Sequence, residues 1–232
     1  IPYIEKTYRT ENFRVAVGHG ETANFINYYL LKQQPLFQGY VVISPELAPN
    51  MLDYIPEQLS KLESKIFYYL ANTKNDSKSI KKMTEALHTD ISALETKNIF
   101  YNFDSFENGS HYSVPAHAIP KAIESIFHVF QPISKKEYKE VILDLDESPV
   151  EYLEEKYKTI NELFGIEKQI LINDFKAISA AIEKNENFEY FEALGKMARK
   201  EYPDTLLGNY YLARFYEETG EPKKAMRTYQ SA

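Results

Sequence analysis

FRVAVGHGETANFINYYLLKQQPLFQGYVVIS, residues 13–44, decides the fold. Phe13 to Val17 is a short apolar run, rich in β-branched residues and closed by a glycine, which is the pattern of a buried strand. Gly18-His19-Gly20 predicts a sharp turn, since two of its three residues carry no side chain. A helix is expected from Glu21 to Gln33, with Phe25, Tyr28, Tyr29 and Leu31 at helical spacing, until Pro35 stops it. Gly39 to Ser44 reads as a second buried strand. Two strands joined by a helix make a right-handed βαβ crossover in a parallel sheet.

This stretch resembles the esterase D and enterochelin-esterase branch of the α/β-hydrolases, where a strand enters a G-H-S-x-G-G elbow, a helix follows, and the next strand ends I-S-P. Here the frame reads Gly18-His19-Gly20-Glu21-Thr22-Ala23, and the next strand ends Ile43-Ser44-Pro45. The resemblance implies a hydrolase of carboxylic esters with a serine, a histidine base and an orienting acid. The family's serine falls on Gly20, which has no atom to attack a carbonyl, so the chain is expected to be inactive. A nucleophile elbow strains its central residue by about 1–3 kcal/mol, and glycine relaxes that turn while deleting the chemistry. Glu21 is one residue too late for a carboxylate nucleophile and sits where the helix dipole favours an acid. Its backbone N–H is the expected oxyanion donor.

Downstream the pattern repeats. A helix from about Asp53 to Glu63 precedes a strand at Lys65–Leu70, and Ser77 to Leu94 is an amphipathic helix with Ile80, Met83, Leu87, Ile91 and Leu94 on one face. Asn98 to Phe103 is a fourth strand, followed by a helix from Val114 to Phe130 with Ile119, Ile123, Ile126, Phe127 and Phe130 available to pack on the sheet. Strand and helix alternating four times is α/β. The four strands are expected in sequence order in one parallel sheet, matching the last four of the resembled fold. The family's earlier strands, and the loop supplying half its oxyanion hole, have no counterpart. The Phe13–Val17 strand would then present an open apolar edge, to be covered by an upstream segment or by a second copy in a homo-oligomer.

Residues 1–133 are thus read as a partial hydrolase-like domain, opened by the tail of a helix at Ile1–Thr10, and 134–232 as a helical region. Pro132 to Glu147 reads as a charged connector. Ser148-Pro149 starts a helix to about Phe164, serine as N-cap and proline as first helical residue. Leu212-Ala213, Tyr216, Gly220, Ala225, Tyr229 and Ala232 match a tetratricopeptide repeat, and 34 residues earlier Ile178-Ser179, Ile182, Phe191 and Ala198 fall in equivalent slots before Pro203. Such helices imply a docked peptide or protein partner.

Carried over from the resemblance, the base is His111 in Gly109-Ser110-His111-Tyr112-Ser113-Val114-Pro115, a loop that would lie over the elbow. The acid is Asp76, the sole carboxylate in the loop after the third strand, which stands equally well as a helix N-cap with Ser77. His19 takes the place of the family's structural elbow histidine. His88, His117 and His128 fall on helices and pair into no metal motif, and Lys78, Lys81 and Lys82 form a solvated helix face. No cofactor or metal is implied.

The net charge of −7, from 27 basic and 34 acidic residues that are interspersed, argues against a nucleic-acid surface. The absence of cysteine excludes disulfides and thiolate metal sites. No apolar run approaches the roughly 20 residues of a membrane-spanning helix. The chain opens Ile1-Pro2-Tyr3 without an initiating methionine and is expected to continue upstream, leaving its compartment undefined. Two functions follow: an ester hydrolase family member without its nucleophile, or a non-catalytic scaffold binding a partner through its helices.

Overall fold

The computed structural model describes residues 1–231, so the Ala232 of the repeat pattern lies outside the described residues. The chain divides into two compact units, residues 1–128 and Val129 onward.

The first unit is a four-stranded parallel sheet in the order β1-β2-β3-β4, formed by Val15–His19, Gly39–Ile43, Ile66–Thr73 and Ile99–Phe106. All three pairings are parallel, with Val15 opposite Gly39, Tyr40 opposite Tyr68, and Tyr68 opposite Tyr101. Between the strands run α2 (Glu21–Leu30), α3 (Met51–Lys61) and α4 (Lys78–Ser92), and α5 (Pro115–Ile126) follows β4. A short α1 (Pro2–Thr7) precedes the sheet, and Arg14 ties it to β1 through Glu5. Every residue of β2 and β3 is buried, as parallel strands covered on both faces require.

β1 differs from the sequence reading. It starts at Val15, not Phe13, and runs through Gly18 and His19, so only Gly20 makes the turn. Nor is it wholly buried: Val17 is 47% exposed, and among the described residues no strand pairs with its outer edge. Gly18 has a different task from the one expected. A Cβ there would lie 2.5 Å from the Thr22 carbonyl oxygen and 2.7 Å from the Ala23 backbone, so its bare backbone lets α2 lie directly on the strand.

That close approach sets which face of α2 turns inward. Ala23, Ile26, Asn27 and Leu30 are buried, and of the four residues expected from spacing Tyr29 and Leu31 pack against the core while Phe25 and Tyr28 are exposed. α5 repeats the theme, since Ala118, Ala122 and Ile126 face the sheet and Ile123 is exposed. Helical periodicity admits more than one stripe, and in both helices the stripe that faces the sheet begins with an alanine, Ala23 in α2 and Ala118 in α5.

The second unit is entirely helical: α6 (Lys135–Glu140), α7 (Pro149–Phe164), α8 (Ile172–Lys184), α9 (Tyr190–Glu201), α10 (Leu207–Glu218) and α11 (Pro222–Gln230). Ser148 caps α7, its hydroxyl accepting from the Val150 and Glu151 N–H groups. The stretch read as a connector contains α6, held by a capping box between Ser134 and Glu137. Phe175, Phe191 and Tyr211 stack in the core, with the Tyr211 ring centre 6.3 Å from Phe175 and 6.2 Å from Phe191. Gly195 and Gly208 let α9 and α10 touch backbone to backbone, since a Cβ at Gly208 would meet the Arg199 nitrogen at 2.7 Å.

Candidate functional site

Three strand ends and one loop meet at the C-terminal edge of the sheet, where open parallel sheets place their ligand sites. The β1–α2 turn supplies Gly20, at φ 58° and ψ −122°. Its N–H donates to the Ile43 carbonyl at 3.1 Å, and its own carbonyl accepts from the Glu46 N–H at 3.1 Å, so the turn is pinned to the end of β2. The Thr22 hydroxyl accepts from the His19 N–H at 2.9 Å and donates to the His19 carbonyl at 2.8 Å. Glu21 begins α2, so its N–H has no partner within the helix.

The ends of β2 and β3 supply a buried acid and its holders. Ser44, itself at φ 43° and fully buried, donates from its hydroxyl to Asp76 Oδ2 at 2.6 Å. The Thr73 N–H reaches the same oxygen at 2.9 Å. The helix cap is Ser77 alone, whose Oγ accepts from the Ile80 N–H. The Asp76 carboxylate points instead to His111, with its Oδ1 2.7 Å from Nδ1.

The loop after β4 brings His111 to this point. The Gly109 carbonyl accepts from the Thr73 hydroxyl at 3.0 Å and from the Asn75 side-chain amide at 2.8 Å. Ser113 Oγ accepts from the Ser110 N–H at 2.8 Å, rounding the loop on which His111 sits. With Nδ1–H donating to Asp76, Nε2 of the neutral ring is an acceptor. That nitrogen lies 3.8 Å from where a Cβ on Gly20 would be. One C–O bond beyond such a Cβ, a hydroxyl could reach hydrogen-bond distance of it.

Gly20, Asp76 and His111 converge, and Glu21 offers its N–H at the start of α2. His19 is beside His111, their ring centres 4.4 Å apart. Burial, reinforced by the neighbouring His111 ring, lowers the His19 pKa from its ordinary value. His88 sits apart, stacked on Phe103 and bonded to Tyr101 and Ser92.

Sequence reasoning missed Ser44 and Thr73, which hold Asp76, and Glu46, whose Oε1 would lie 3.4 Å from a Cβ on Gly20. The Ser44-Pro45 dipeptide was one available signal, since a residue before proline at a strand end marks a forced turn. Nothing in the sequence marked Glu46.

No protein-family model and no curated protein matches the chain. Two crystal structures do. An uncharacterised protein from Capnocytophaga ochracea DSM 7271 superposes with a TM-score of 0.89 at 29% identity, over 99% of this chain and 65% of that one. An IroE-like serine hydrolase from Shewanella oneidensis superposes with a TM-score of 0.59 at 18% identity, over 86% of this chain and 63% of that one. The chain therefore spans about two thirds of the length of each. At the level of fold, it is α/β-hydrolase-like, with a helical region following the sheet.

Proposed function

We propose that this chain is a pseudo-hydrolase, derived from an ester-cleaving α/β-hydrolase and stripped of its nucleophile at Gly20. One observation carries the reading: a buried Asp76 holds His111 so that its free nitrogen faces a residue with no side chain. In a serine hydrolase this arrangement takes a proton from the attacking hydroxyl, and Asp76 stabilises the imidazolium that forms. Glu21 N–H is the oxyanion donor. Without the hydroxyl the base has nothing to deprotonate, a loss on the order of a million-fold where a triad nucleophile has been removed.

The test is covalent. Wild-type protein should neither hydrolyse an aryl acetate above the buffer rate nor take up a fluorophosphonate label. Gly20→Ser has room for its side chain, at a backbone cost of about 1–3 kcal/mol, and should be labelled at Ser in a His111-dependent manner. Turnover should stay low, because the chain offers a single identified oxyanion donor. Wild-type ester turnover that disappears in His111→Ala would sink the proposal.

A scaffold role is compatible with this one. It is supported by a groove of about 770 Å³ in the helical unit, lined by Val150 and Tyr157 of α7, by Ile170, and by Tyr190 and Met197 of α9. On this reading the groove takes a peptide or protein partner, and the open edge of β1 takes a further strand from a longer chain or from a second copy. Pull-down with a Tyr157→Ala, Met197→Asp variant tests the first, and solution scattering tests the second.

A further inference from the structure

Asn108-Gly109 is the chain's only asparagine followed by glycine, a pair that marks a turn, and it lies in the loop that carries His111. The turn requires the glycine. Its φ is 97°, and a Cβ there would lie 3.2 Å from His117 Cδ2 and 3.2 Å from Ser113 Oγ. Asn108 is exposed, and neither its side-chain amide nor the Gly109 N–H has a hydrogen-bond partner among the described residues. Asn75, by contrast, spends its amide on the Gly109 carbonyl at 2.8 Å. The two groups that would close a ring, the Asn108 amide carbon and the Gly109 nitrogen, are thus both free, with no side chain on residue 109 to screen the attack.

We infer that Asn108-Gly109 is a site of spontaneous backbone modification, at which asparagine converts through a cyclic imide to isoaspartate and detaches the His111 loop from its anchor. The Gly109 nitrogen gives its proton to solvent hydroxide and attacks the Asn108 amide carbon. A C–N bond forms there, the bond to the side-chain nitrogen breaks, and that nitrogen leaves as ammonia. Water then opens the imide at either carbonyl. Opening at the side-chain carbon leaves aspartate in an ordinary backbone. Opening at the main-chain carbon leaves isoaspartate, with one more carbon in the chain and a free carboxylate beside it.

That added carbon falls between two held points. The Phe106 carbonyl accepts from the Lys74 N–H at 2.9 Å, and the Gly109 carbonyl is held by Thr73 and Asn75, with just Glu107 and Asn108 between them. Phe106 is paired in the sheet with Thr73, so the Gly109 end is the one to give way. His111 follows two residues later, and its 2.7 Å bond to Asp76 goes with the anchor. The modification is independent of the pseudo-hydrolase reading, and it acts on whatever the Asp76–His111 pair serves.

The test ages the full chain in mildly alkaline buffer and reads its peptides by mass spectrometry, with electron-transfer fragmentation to tell isoaspartate from aspartate. The Asn108 peptide should be the first to exchange amide for carboxylate, with isoaspartate the main product, and Asn108→Gln should remove that signal. By NMR, a second set of His111 ring resonances should grow in step with the isoaspartate fraction. Freshly prepared Asn108→Asp, which adds the charge without the carbon, should keep the original set. An Asn108 that retains its amide while other asparagines convert, His111 resonances indifferent to the isoaspartate fraction, or the second set already present in Asn108→Asp would overturn the inference. Ester turnover by the wild type would defeat the pseudo-hydrolase reading and leave this one standing.

Discussion

Each unit buries acid, but to different ends. Of the seven polar or charged side chains buried among the described residues, six lie in the sheet unit, and Ser44, Asn72, Thr73 and Asp76 gather where β2 and β3 end. The helical unit buries Asp174 alone. Both oxygens of Asp174 serve the fold: Oδ1 accepts from the Ile133 N–H and Oδ2 from the Tyr157 hydroxyl, each at 2.8 Å. Tyr157 in turn accepts from the Leu171 N–H, so one carboxylate staples together three segments distant in sequence, at Ile133, at Tyr157 and at the start of α8. Asp76 gives one oxygen to the fold, through Ser44 and Thr73, and the other to an imidazole whose far nitrogen leads outward. A buried acid whose bonds all end in structure is a fastener; one whose last bond ends on a half-exposed base is an aiming device.

The contrast can be broken first at Asp76 itself. Asp76→Ala leaves a hydroxyl, an N–H and an imidazole without their acceptor, and should cost on the order of 3 kcal/mol in urea unfolding while freeing the His111 ring in NMR relaxation. A loss below about 1 kcal/mol would mean the cluster is not a network. Gly18→Ala comes next. It forces α2 off β1 and should cost about 2 kcal/mol by overpacking, with the elbow displaced along with the helix. Tyr157→Phe should cost about 1 kcal/mol in the helical unit and leave the His111 resonances where they were; a shift there would erase the distinction between fastener and aim.

The smallest effect is a pH slope. His19 has a lowered pKa in the folded chain, so the unfolded chain binds its proton more readily. Its contribution is neutral above the unfolded value near 6.5 and becomes destabilising as pH falls through that value, levelling off below the folded pKa. The urea midpoint should therefore drop between about pH 7 and pH 5, less steeply in His19→Asn. Identical slopes would remove His19 from the site's energetics.

The sheet was legible in the sequence because buried parallel strands are nearly continuous apolar runs between helices. Its boundaries were less so. β3 runs on to Thr73, since Asn72 and Thr73 pair with Ser105 and Phe106, and Asn72 is a residue type that strand propensity disfavours. α6 was legible and overlooked, because Ser134 and Glu137 stand at capping-box spacing. At the site, the resemblance singled out His111, Asp76 and Gly20, and spacing alone would have made Asp76 a helix cap. What brings them together is the meeting of chain ends 20, 44, 76 and 111, and no local pattern encodes a meeting of that range.

The order of the strands also has a consequence in time. Because β1, β2, β3 and β4 lie side by side in the order in which they are made, no strand has to be inserted between two that are already paired. Each new βαβ turn can add to the edge left by the one before, as the chain leaves the ribosome at roughly 5–20 residues per second. The growing edge is always the newest strand, and it is covered within seconds by the next. Asp76, three residues past the end of β3, is synthesised before the loop that carries His111, so the acid precedes the base it will hold.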